Sequence, residues 1–478
     1  MEQKQIAGEK QFFNFQDKLQ KFIPILVACI TFIVFLPMLN NDFVNFDDNQ
    51  FLIQNNNYKG LGWTQLYWMF KTIFAGNYVP LTWLSWAADY QIWGMNPLGY
   101  HLGNLLLHTV NAVLFYHLAF KLLDKAVPVS SQDERKRFYI CAGISALFFS
   151  IHPLRVESVA WAVERRDVLS GFFYLLTVIF YIRGRLGISL AAYALSLLSK
   201  GMGISLPVLL ILLDIYPLRR ISRQSPIWRL SQENRVLLLE KIPYVILALT
   251  ITIIGFMGQY SPGTMRTMLE YDTSSRICQA CFGLSFYLLK TLVPIHLSPL
   301  YELPVYLNIV SWRFILSGIM VLCVSSALWA LRHKYLPVLL VWIYYVVTLL
   351  PVLGFVQFGA QIAADRYTYL SCLGWAMLLG GSFLKFGNNK SRKGYGYILV
   401  SAIVVAAILG LSVLTWKQTK IWHDSETLWS QALAIEPANV AAHINLGVDL
   451  ANRNKLKEAS EYFRAALVLN PGDVFDVS

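Results

Sequence analysis

The sequence predicts an all-α, polytopic membrane protein with a short soluble helical segment at its C-terminal end. Of its 478 residues 56% are apolar and only 14% are charged, which is more apolar and less charged than a soluble domain. Apolar stretches near the roughly 20 residues that a helix needs to cross the hydrocarbon core recur along most of the chain. From about residue 421 onward the composition is that of a soluble protein. The first apolar stretch is not followed by a small-residue cleavage site, so we expect an anchor and not a removable signal peptide.

About eleven stretches are predicted to cross the membrane: residues 22–39, 100–120, 138–151, 167–183, 187–199, 202–217, 241–257, 312–331, 335–354, 367–385 and 396–415. Lys and Arg concentrate in the N-terminal segment and in the loops 121–137 and 219–235, whereas residues 40–99 are acidic. The positive-inside rule therefore places the N-terminus inside and residues 40–99 outside. A twelfth run, 277–293, is interrupted by Lys290 and followed by prolines, which favours a re-entrant or interfacial helix. An odd number of crossings places the C-terminal segment on the outer face.

The net charge of +12 is spread over separate loops on one membrane face. It is therefore a signal of orientation and not the footprint of a nucleic acid, and we expect no nucleic-acid partner. The six cysteines lie in apolar segments, where free thiols act as small hydrophobic side chains. Cys278 and Cys281 have CxxC spacing without a second pair or nearby histidines, which favours a structural role over zinc or redox chemistry.

A helical repeat follows the last apolar stretch. Pro437 and Pro471 are 34 residues apart, the period of a tetratricopeptide repeat. Between them the small and apolar positions of that repeat are filled by Leu446, Gly447, Leu450, Ala459, Phe463 and Ala466. We therefore divide the chain into a membrane domain, residues 1–420, and a segment of about one and a half repeats, residues 421–478. Because such arrays usually need about three repeats for stability, we expect these helices to pack on the membrane domain or on a partner, either as a folded cap or as a peptide-binding groove.

Two adjacent carboxylates, Asp47 and Asp48, stand out on the predicted outer face. Acidic side chains next to an apolar span are costly and hence functional candidates. Such carboxylates can serve as a general base toward an acceptor hydroxyl or can hold a divalent metal against a phosphate. A solvated turn or a helix cap is the alternative.

A second polar patch is the segment HPLRVESVAWAVERRD, residues 152–167. On one continuous surface helix Glu157, Trp161 and Glu164 would share a face, so that a carboxylate and a sugar-stacking ring point the same way. Trp161 could equally be an interfacial anchor. Arginines on an outer face suggest a phosphate or carboxylate partner, with local salt bridges as the alternative. Three arginines lie in this segment: Arg155, Arg165 and Arg166.

Two further basic residues lie at predicted outer ends of spans. Lys200, in the turn LLSKGMG, could contact a lipid phosphate or extend to the interface. Arg366, in ADRY, could bind a phosphodiester with its guanidinium, or pair with Asp365 at the helix start. The chain has no Ser-His-Asp triad, P-loop, Rossmann fingerprint or tetrahedral metal cluster in its sequence. Residue chemistry alone thus points to an anionic lipid-linked substrate at the membrane surface.

Several blocks in the order in which they occur resemble the transmembrane and tetratricopeptide-repeat family, the O-mannosyltransferase-like glycosyltransferases of the GT-C superfamily, and their prokaryotic relatives. The blocks are NFDDNQFLIQNN, YVPLTWLSWAADYQIWGMNPLGYHLGNLLLHTVNAVL, HPLRVESVAWAVERRDVLSGFFYLLT, LLSKGMGISLPVLLILLDIYPL and ADRYTYLSCLG. The resemblance implies a GT-C fold, a polyprenyl-phosphate sugar donor and catalysis on the external or luminal face. Gly201 departs from the family, whose members often have Glu or Pro after the lysine.

The resemblance also implies roles for individual residues. Asp47 and Asp48 correspond to the acidic catalytic signature. Our chemical hypothesis takes Asp47 as the base and Asp48 as the residue that orients the acceptor or a metal such as Mg or Mn, while the sequence leaves open which of the two accepts the proton. Glu157 would be a further active-site acid and Arg366 a ligand of the donor phosphate. The predicted phosphate-binding set also contains Lys200, Arg165 and Arg166, and Trp161 is the predicted stacking residue.

The expected function is transfer of a sugar, mannose or another hexose, from a polyprenyl-phosphate donor to a Ser or Thr hydroxyl of a protein, with inversion. The expected location is the bacterial inner membrane with the catalytic face and repeats in the periplasm, or the endoplasmic reticulum with its lumen. The alternatives are a GT-C transferase or ligase acting on a glycan or lipid, and a non-catalytic membrane scaffold that presents the repeat helices. Transport is less favoured, because the charged residues cluster at the outer surface and not at mid-membrane.

Overall fold

The computed structural model describes residues 2–128, 132–221, 232–259, 272–304, 307–355, 359, 361–388 and 395–470. For residues 2–18 and a few residues at other helix ends it describes the backbone alone. Pro471, the second proline of the predicted repeat, lies outside the described residues.

The described part of the chain is almost entirely helical. Its helices are α1 (Glu2–Phe35), α2 (Trp63–Lys71), α3 (Pro80–Trp93), α4 (Pro97–Ala126), α5 (Gln132–Ser150), α6 (Val156–Ala160), α7 (Arg165–Ile182), α8 (Leu186–Ser199), α9 (Leu206–Ile215), α10 (Gln232–Leu239), α11 (Ile242–Gln259), α12 (Thr273–Leu292), α13 (Trp312–Ala330), α14 (Leu336–Leu349), α15 (Thr368–Asn388), α16 (Tyr395–Ile421), α17 (Ser425–Ile435), α18 (Val440–Asn452) and α19 (Leu456–Leu469). Two short antiparallel strands, β1 (Tyr301–Glu302) and β2 (Gln361–Ala363), pair Tyr301 with Ala363 and Glu302 with Gln361. The predicted all-α fold class is confirmed.

Each predicted span coincides with an observed helix, and the chain is a multi-pass membrane protein. Six helical segments of the described chain are long and apolar enough to cross a membrane: Leu19–Asn40, Pro97–Ala126, Asn234–Gly258, Trp312–Ala330, Asp365–Gly387 and Tyr395–Ile421. The bent pair Glu134–Ser150 and Pro153–Ala160 is a seventh if its two helices form one span. Three shorter apolar helices coincide with further predicted spans: Leu186–Ser199, Gly201–Ile215 and Leu336–Val352. The remaining predicted span, 167–183, is α7. The full count of eleven stays a prediction, as does the partial insertion of 277–293, of which residues 277–292 lie in α12.

Helix α4 lies at the centre of the packed bundle and contacts α1, α5 and α7. Its buried polar side chains bond to the first turn of α15. His108 Nδ1 lies 2.9 Å from the Tyr369 hydroxyl, and Asn111 donates to that hydroxyl (2.9 Å) and to the Val168 carbonyl (2.8 Å). Hydrogen bonds with both partners buried in a low-dielectric interior hold their geometry firmly. This network therefore fixes the start of α15, and with it Arg366, against α4 and α7.

The C-terminal helices α17, α18 and α19 pack as the repeat pattern predicts. A Cβ at Gly447 of α18 would lie 2.6 Å from the Phe463 ring of α19, so the close helix crossing requires glycine. Leu428, Trp429 and Ala432 of α17 are fully buried and continuous with the core of the membrane domain. The expected packing of these helices on the membrane domain is therefore present.

The close crossing of α15 and α5 provides a test of this packing. A Cβ at Gly380 would overlap Ser145 Oγ and would lie 2.6 Å from the Cys141 carbonyl oxygen, whereas a Cβ at Gly410 of α16 would meet nothing within 4 Å. We expect Gly380→Ala to lower the free energy of unfolding by about 1–3 kcal/mol, because overpacking shifts the backbones apart. Gly410→Ala is the matched control and should not lower it. Thermal unfolding of the two purified variants in detergent measures the difference, and equal stability would contradict the tight crossing.

Candidate active site

The segment 152–167 is buried and is not a continuous surface helix. α6 ends at Ala160, because Trp161 has extended backbone angles (φ −79°, ψ 123°) and a turn leads into α7 at Arg165. Every residue from 151 to 171 is buried. The prediction of a single helical face carrying Glu157, Trp161 and Glu164 is therefore wrong. The turn between α6 and α7 reverses the chain, and Glu157 and Glu164 both approach one residue far along the sequence.

That residue is Arg366, just before α15. Glu157 accepts the backbone N–H of Arg366 at 2.9 Å and contacts its guanidinium as an ion pair. Glu164 lies 3.8 Å from the Arg366 Nε, and the guanidinium lies 5.5 Å from the centre of the Trp161 ring. The predicted pairing of Arg366 with Asp365 is wrong. Asp365 is buried and instead accepts a hydrogen bond from the Tyr301 hydroxyl at 3.2 Å.

Glu164 is the centre of this group of charges. Its side chain is 2% exposed and accepts from Arg166 Nη2 and from Lys200 Nζ, both at 2.7 Å. Lys200 is also 2.9 Å from Asp167. Burial alone would raise the pKa of Glu164, but Arg166, Lys200 and Arg366 together hold the pKa well below its usual range. Lys200 thus contacts buried carboxylates and does not extend to the lipid interface. We call the whole set the charged cluster: Asp47, Glu157, Glu164, Asp167, Arg166, Lys200 and Arg366.

Asp47 is the accessible carboxylate of the charged cluster. Its side chain is 35% exposed, compared with 2–3% for Glu157 and Glu164, and it lies 3.8 Å from Arg166 Nη2. Desolvation raises the pKa of Asp47 above its ordinary value of 3.8, against the opposing effect of Arg166 and Arg366. A carboxylate that is accessible and has a raised pKa is suited to accept a proton.

Asp48 has a different position and a different role. It is fully buried, and its two carboxylate oxygens accept the backbone N–H groups of Val44 (2.9 Å) and Val163 (3.1 Å). Burial raises the pKa of Asp48 from 3.8 to about 7. The side chain therefore ties its own loop to the turn between α6 and α7. Asp48 thus has a structural task in this geometry, and its expected role in orienting the acceptor or a metal stays a prediction.

The expected Mg or Mn ion does not fit this pair of aspartates. Asp48 is fully buried and each of its oxygens already accepts a backbone N–H, whereas a hard divalent cation takes about six oxygen ligands or more. Within the part of the chain that the structure describes, no three His, Cys, Asp or Glu side chains are grouped so as to hold an ion. We therefore derive no chemical step from a metal at this pair.

Arg165 lies apart from the charged cluster. Its guanidinium forms an ion pair with Asp89 and donates to the Asn104 side chain (2.7 Å) and the Tyr100 carbonyl (2.6 Å). It thus ties α3, α4 and α7 together, so its observed contacts are structural, and its expected role as a ligand of the donor phosphate stays a prediction.

Trp161 is enclosed by aromatic side chains. It is 1% exposed, and its ring is stacked between Phe46 (4.6 Å between ring centres, 4° between planes) and Trp422 (5.5 Å, 29°). In this structure both faces of the ring are covered, between Phe46, which precedes Asp47, and Trp422, which follows α16. Sugar stacking by Trp161 stays a prediction.

Two residues of this segment were not assigned a role in the predicted site, Glu164 and Arg155. Glu164 was expected only as part of a helix face, although a carboxylate followed at once by Arg165 and Arg166 in an apolar segment signals a buried ion pair. Arg155 is 0% exposed, donates to Thr368 Oγ1 (2.7 Å), and has an Nε and an Nη1 without a hydrogen-bond partner among the described residues. Phe149 and Tyr369 cover its guanidinium, each at 5.7 Å from the ring centre.

These features define an all-α, multi-pass membrane protein in which acidic and basic side chains meet at one end of the helix bundle, next to the repeat helices α17 and α18. The tetratricopeptide repeat family matches residues 440–473, which confirms the predicted repeat.

The curated relatives are protein O-mannosyl-transferases, as the sequence resemblance predicted. The chain is 23% identical to human protein O-mannosyl-transferase TMTC4 over 92% of this chain and 65% of the relative. It is 25% identical to a protein O-mannosyl-transferase of Caenorhabditis elegans over 94% of this chain and 62% of the relative. The chain thus spans somewhat less than two thirds of the length of these relatives. Among solved structures, ArnT from Cupriavidus metallidurans bound to undecaprenyl phosphate aligns with a TM-score of 0.38 and 15% identity, over 93% of this chain and 75% of that chain.

The two aspartates should respond differently to the same substitution. Asp48→Asn should lower the free energy of unfolding by about 1–3 kcal/mol, because the amide presents only one oxygen to two buried N–H donors. Asp47→Asn should leave stability nearly unchanged, since that side chain accepts no hydrogen bond within the described part of the chain and is partly exposed. Thermal unfolding of both variants, followed by tryptophan fluorescence, tests this. A larger loss for Asp47→Asn would reverse the assignment.

Proposed function

We propose that this chain is a membrane glycosyltransferase that moves mannose from a polyprenyl-phosphate donor to a Ser or Thr hydroxyl of a protein. One observation carries the proposal: a single accessible carboxylate, Asp47, stands beside Arg166 and Arg366 in an otherwise buried cluster of charges. The names of the relatives supply the sugar and the protein acceptor. We assign the reaction to the external face of a bacterial inner membrane, or to the lumen of the endoplasmic reticulum in a eukaryote.

In the proposed reaction the acceptor hydroxyl oxygen attacks the anomeric carbon of the mannose as the bond from that carbon to the phosphate oxygen breaks. Asp47 takes the hydroxyl proton. The bonding electrons leave with the lipid phosphate, so the anomeric configuration inverts. A positioned carboxylate base typically contributes a factor of about 10²–10⁴ to such a step.

The cationic side chains of the charged cluster are suited to hold the departing phosphate. Arg366 carries five N–H donors, and Glu157 engages only its Nη1 and its backbone N–H. The Nη2 of Arg366 has no hydrogen bond in the described part of the chain, so it is available to a phosphate oxygen. Fixed donors aimed at developing negative charge are worth more in a water-poor site than in solution. Lys200 and Arg166, held by Glu164, add positive charge without moving.

The membrane interior also offers space for an isoprenoid chain. A mostly apolar cavity of about 680 Å³ lies among α4, α7, α9, α14 and α15. Tyr174 on α7 lines this cavity and follows Asp167 by seven residues, a rise of about 10 Å along the helix. A lipid whose phosphate meets Arg366 can therefore reach apolar surroundings within two helix turns of the charged cluster.

Replacing the proposed base should abolish transfer without unfolding the protein. We expect Asp47→Asn to lower kcat by at least about 10²-fold, the usual contribution of a general base. The measurement uses purified protein, a synthetic polyprenyl-phosphate mannose, and proteins extracted from cells that lack this chain as acceptors, with hexose on Ser or Thr identified by mass spectrometry. Asp42→Asn, on the same loop but outside the charged cluster, is the control. Full activity of Asp47→Asn would refute the proposal, and hexose found only on glycolipid would change the acceptor.

The pH profile should carry the signature of Asp47. Because a base must be deprotonated and desolvation raises the pKa of Asp47 above 3.8, kcat/KM should fall as the pH drops through that raised pKa. Asp48 also titrates, with a pKa of about 7, so the profile is compared in Asp48→Asn. The acidic decline should persist in Asp48→Asn and should be absent from the residual activity of Asp47→Asn. A decline that disappears in Asp48→Asn would assign the titration to the wrong aspartate.

A further inference from the structure

The repeat helices hold the loop that carries Asp47. Three polar groups of Asn45, two residues before Asp47, bond to them. Its backbone N–H donates to Ser425 Oγ (2.9 Å), its side-chain Nδ2 donates to the Asn445 carbonyl (2.8 Å), and its Oδ1 accepts from Trp429 Nε1 (2.6 Å). These partners lie on α17 and α18, 380–400 residues away along the chain. The conformation of the loop therefore depends on the repeat helices.

Aromatic contacts extend this connection to the charged cluster. Phe46 meets the Trp429 ring edge-to-face (5.2 Å, 73°) and stacks on Trp161. The Trp161 ring in turn lies 5.5 Å, measured from its centre, from the guanidinium of Arg366. One continuous set of packed rings thus runs from α17 to the proposed phosphate ligand.

The same helices also hold the other side of the site. Glu302 of β1 accepts the backbone N–H groups of Val440 (2.7 Å) and Ala441 (3.3 Å) at the start of α18. A carboxylate at a helix N-terminus is favoured both by those free N–H groups and by the helix dipole. The neighbouring Tyr301 donates to Asp365, which directly precedes Arg366. α17 and α18 therefore bridge the two segments that carry Asp47 and Arg366.

We propose that Asn45 is a positioning residue, and that α17 and α18 through it set the place of Asp47 relative to Arg366. The first repeat helices are thus part of the catalytic apparatus and not only a platform for a partner. This inference rests on the proposed function of Asp47. It predicts that loss of the bonds to Asn45 slows the chemical step while donor binding at Arg366 is kept.

The test is a double-mutant cycle on Asn45 and Trp429 in the full-length protein. Asn45→Ala and Trp429→Phe should each lower kcat about tenfold, which corresponds to ~1.4 kcal/mol of barrier, and should leave the KM for synthetic polyprenyl-phosphate mannose within about twofold. The double variant should also lose about tenfold and not a hundredfold, because both substitutions break one connection. Ser425→Ala removes the third partner and should act in the same direction.

Phe463→Leu is the matched control, since Phe463 packs on Gly447 between α18 and α19 and is not among the hydrogen-bond partners of Asn45, which are Ser425, Trp429 and Asn445. Phe463→Leu should lower the stability of the packing between α18 and α19, and it should leave kcat unchanged at a temperature where the protein is folded. Unchanged kcat in Asn45→Ala and Trp429→Phe, additive losses, or an equal loss in Phe463→Leu would overturn the inference. If Asp47→Asn is fully active, the proposed function fails first. If Asp47→Asn is inactive and the Asn45 variants are normal, only this inference fails.

Discussion

The structure depends on the compensation of buried charge around Glu164 and Arg366. A single ion moved into the interior of a membrane protein costs several kcal/mol, and it is retained only where opposite charges and hydrogen bonds surround it. Here the compensating groups come from four separate parts of the chain: the loop that carries Asp47, the turn between α6 and α7, the end of α8 at Lys200, and the start of α15 at Arg366. Removing a buried partner such as Glu157 or Glu164 leaves another buried charge without compensation, whereas neutralising the partly exposed Asp47 costs little. The helices are therefore held together by electrostatics as well as by apolar packing.

The fold class, the helix positions and the repeat could be predicted from the sequence because they rest on local patterns. Apolar runs of fixed length and small residues at helical spacing do not depend on the rest of the fold. The charged site could be predicted only in part. Asp47, Glu157, Lys200, Arg166 and Arg366 do converge, yet the convergence comes from a break at Trp161 and not from the helical periodicity that suggested it.

The errors also have a common physical origin. Arg165 and Arg166 are adjacent and identical in type, but successive residues at the start of α7 point in different directions, so one pairs with Asp89 and the other with Glu164. Asp47 and Asp48 are separated by burial in the same way: one is partly exposed and the other bonds two backbone N–H groups. The sequence shows which residue types are available to the site. Which of two adjacent residues contacts the charged cluster depends on the direction of each side chain in the folded structure.

The engagement of Asn45 by α17 and α18 gives the helical array a fixed end and an open end. α17 and α18 are hydrogen-bonded to the membrane domain through Ser425, Trp429 and Asn445. On α19, by contrast, Leu456 and Val468 are 67% and 81% exposed. An array of this kind can lengthen only from the α19 side. The most exposed apolar side chains of the described array thus lie on α19, apart from the contacts by which α17 and α18 hold the Asn45 loop, so a partner bound at α19 would leave those contacts intact.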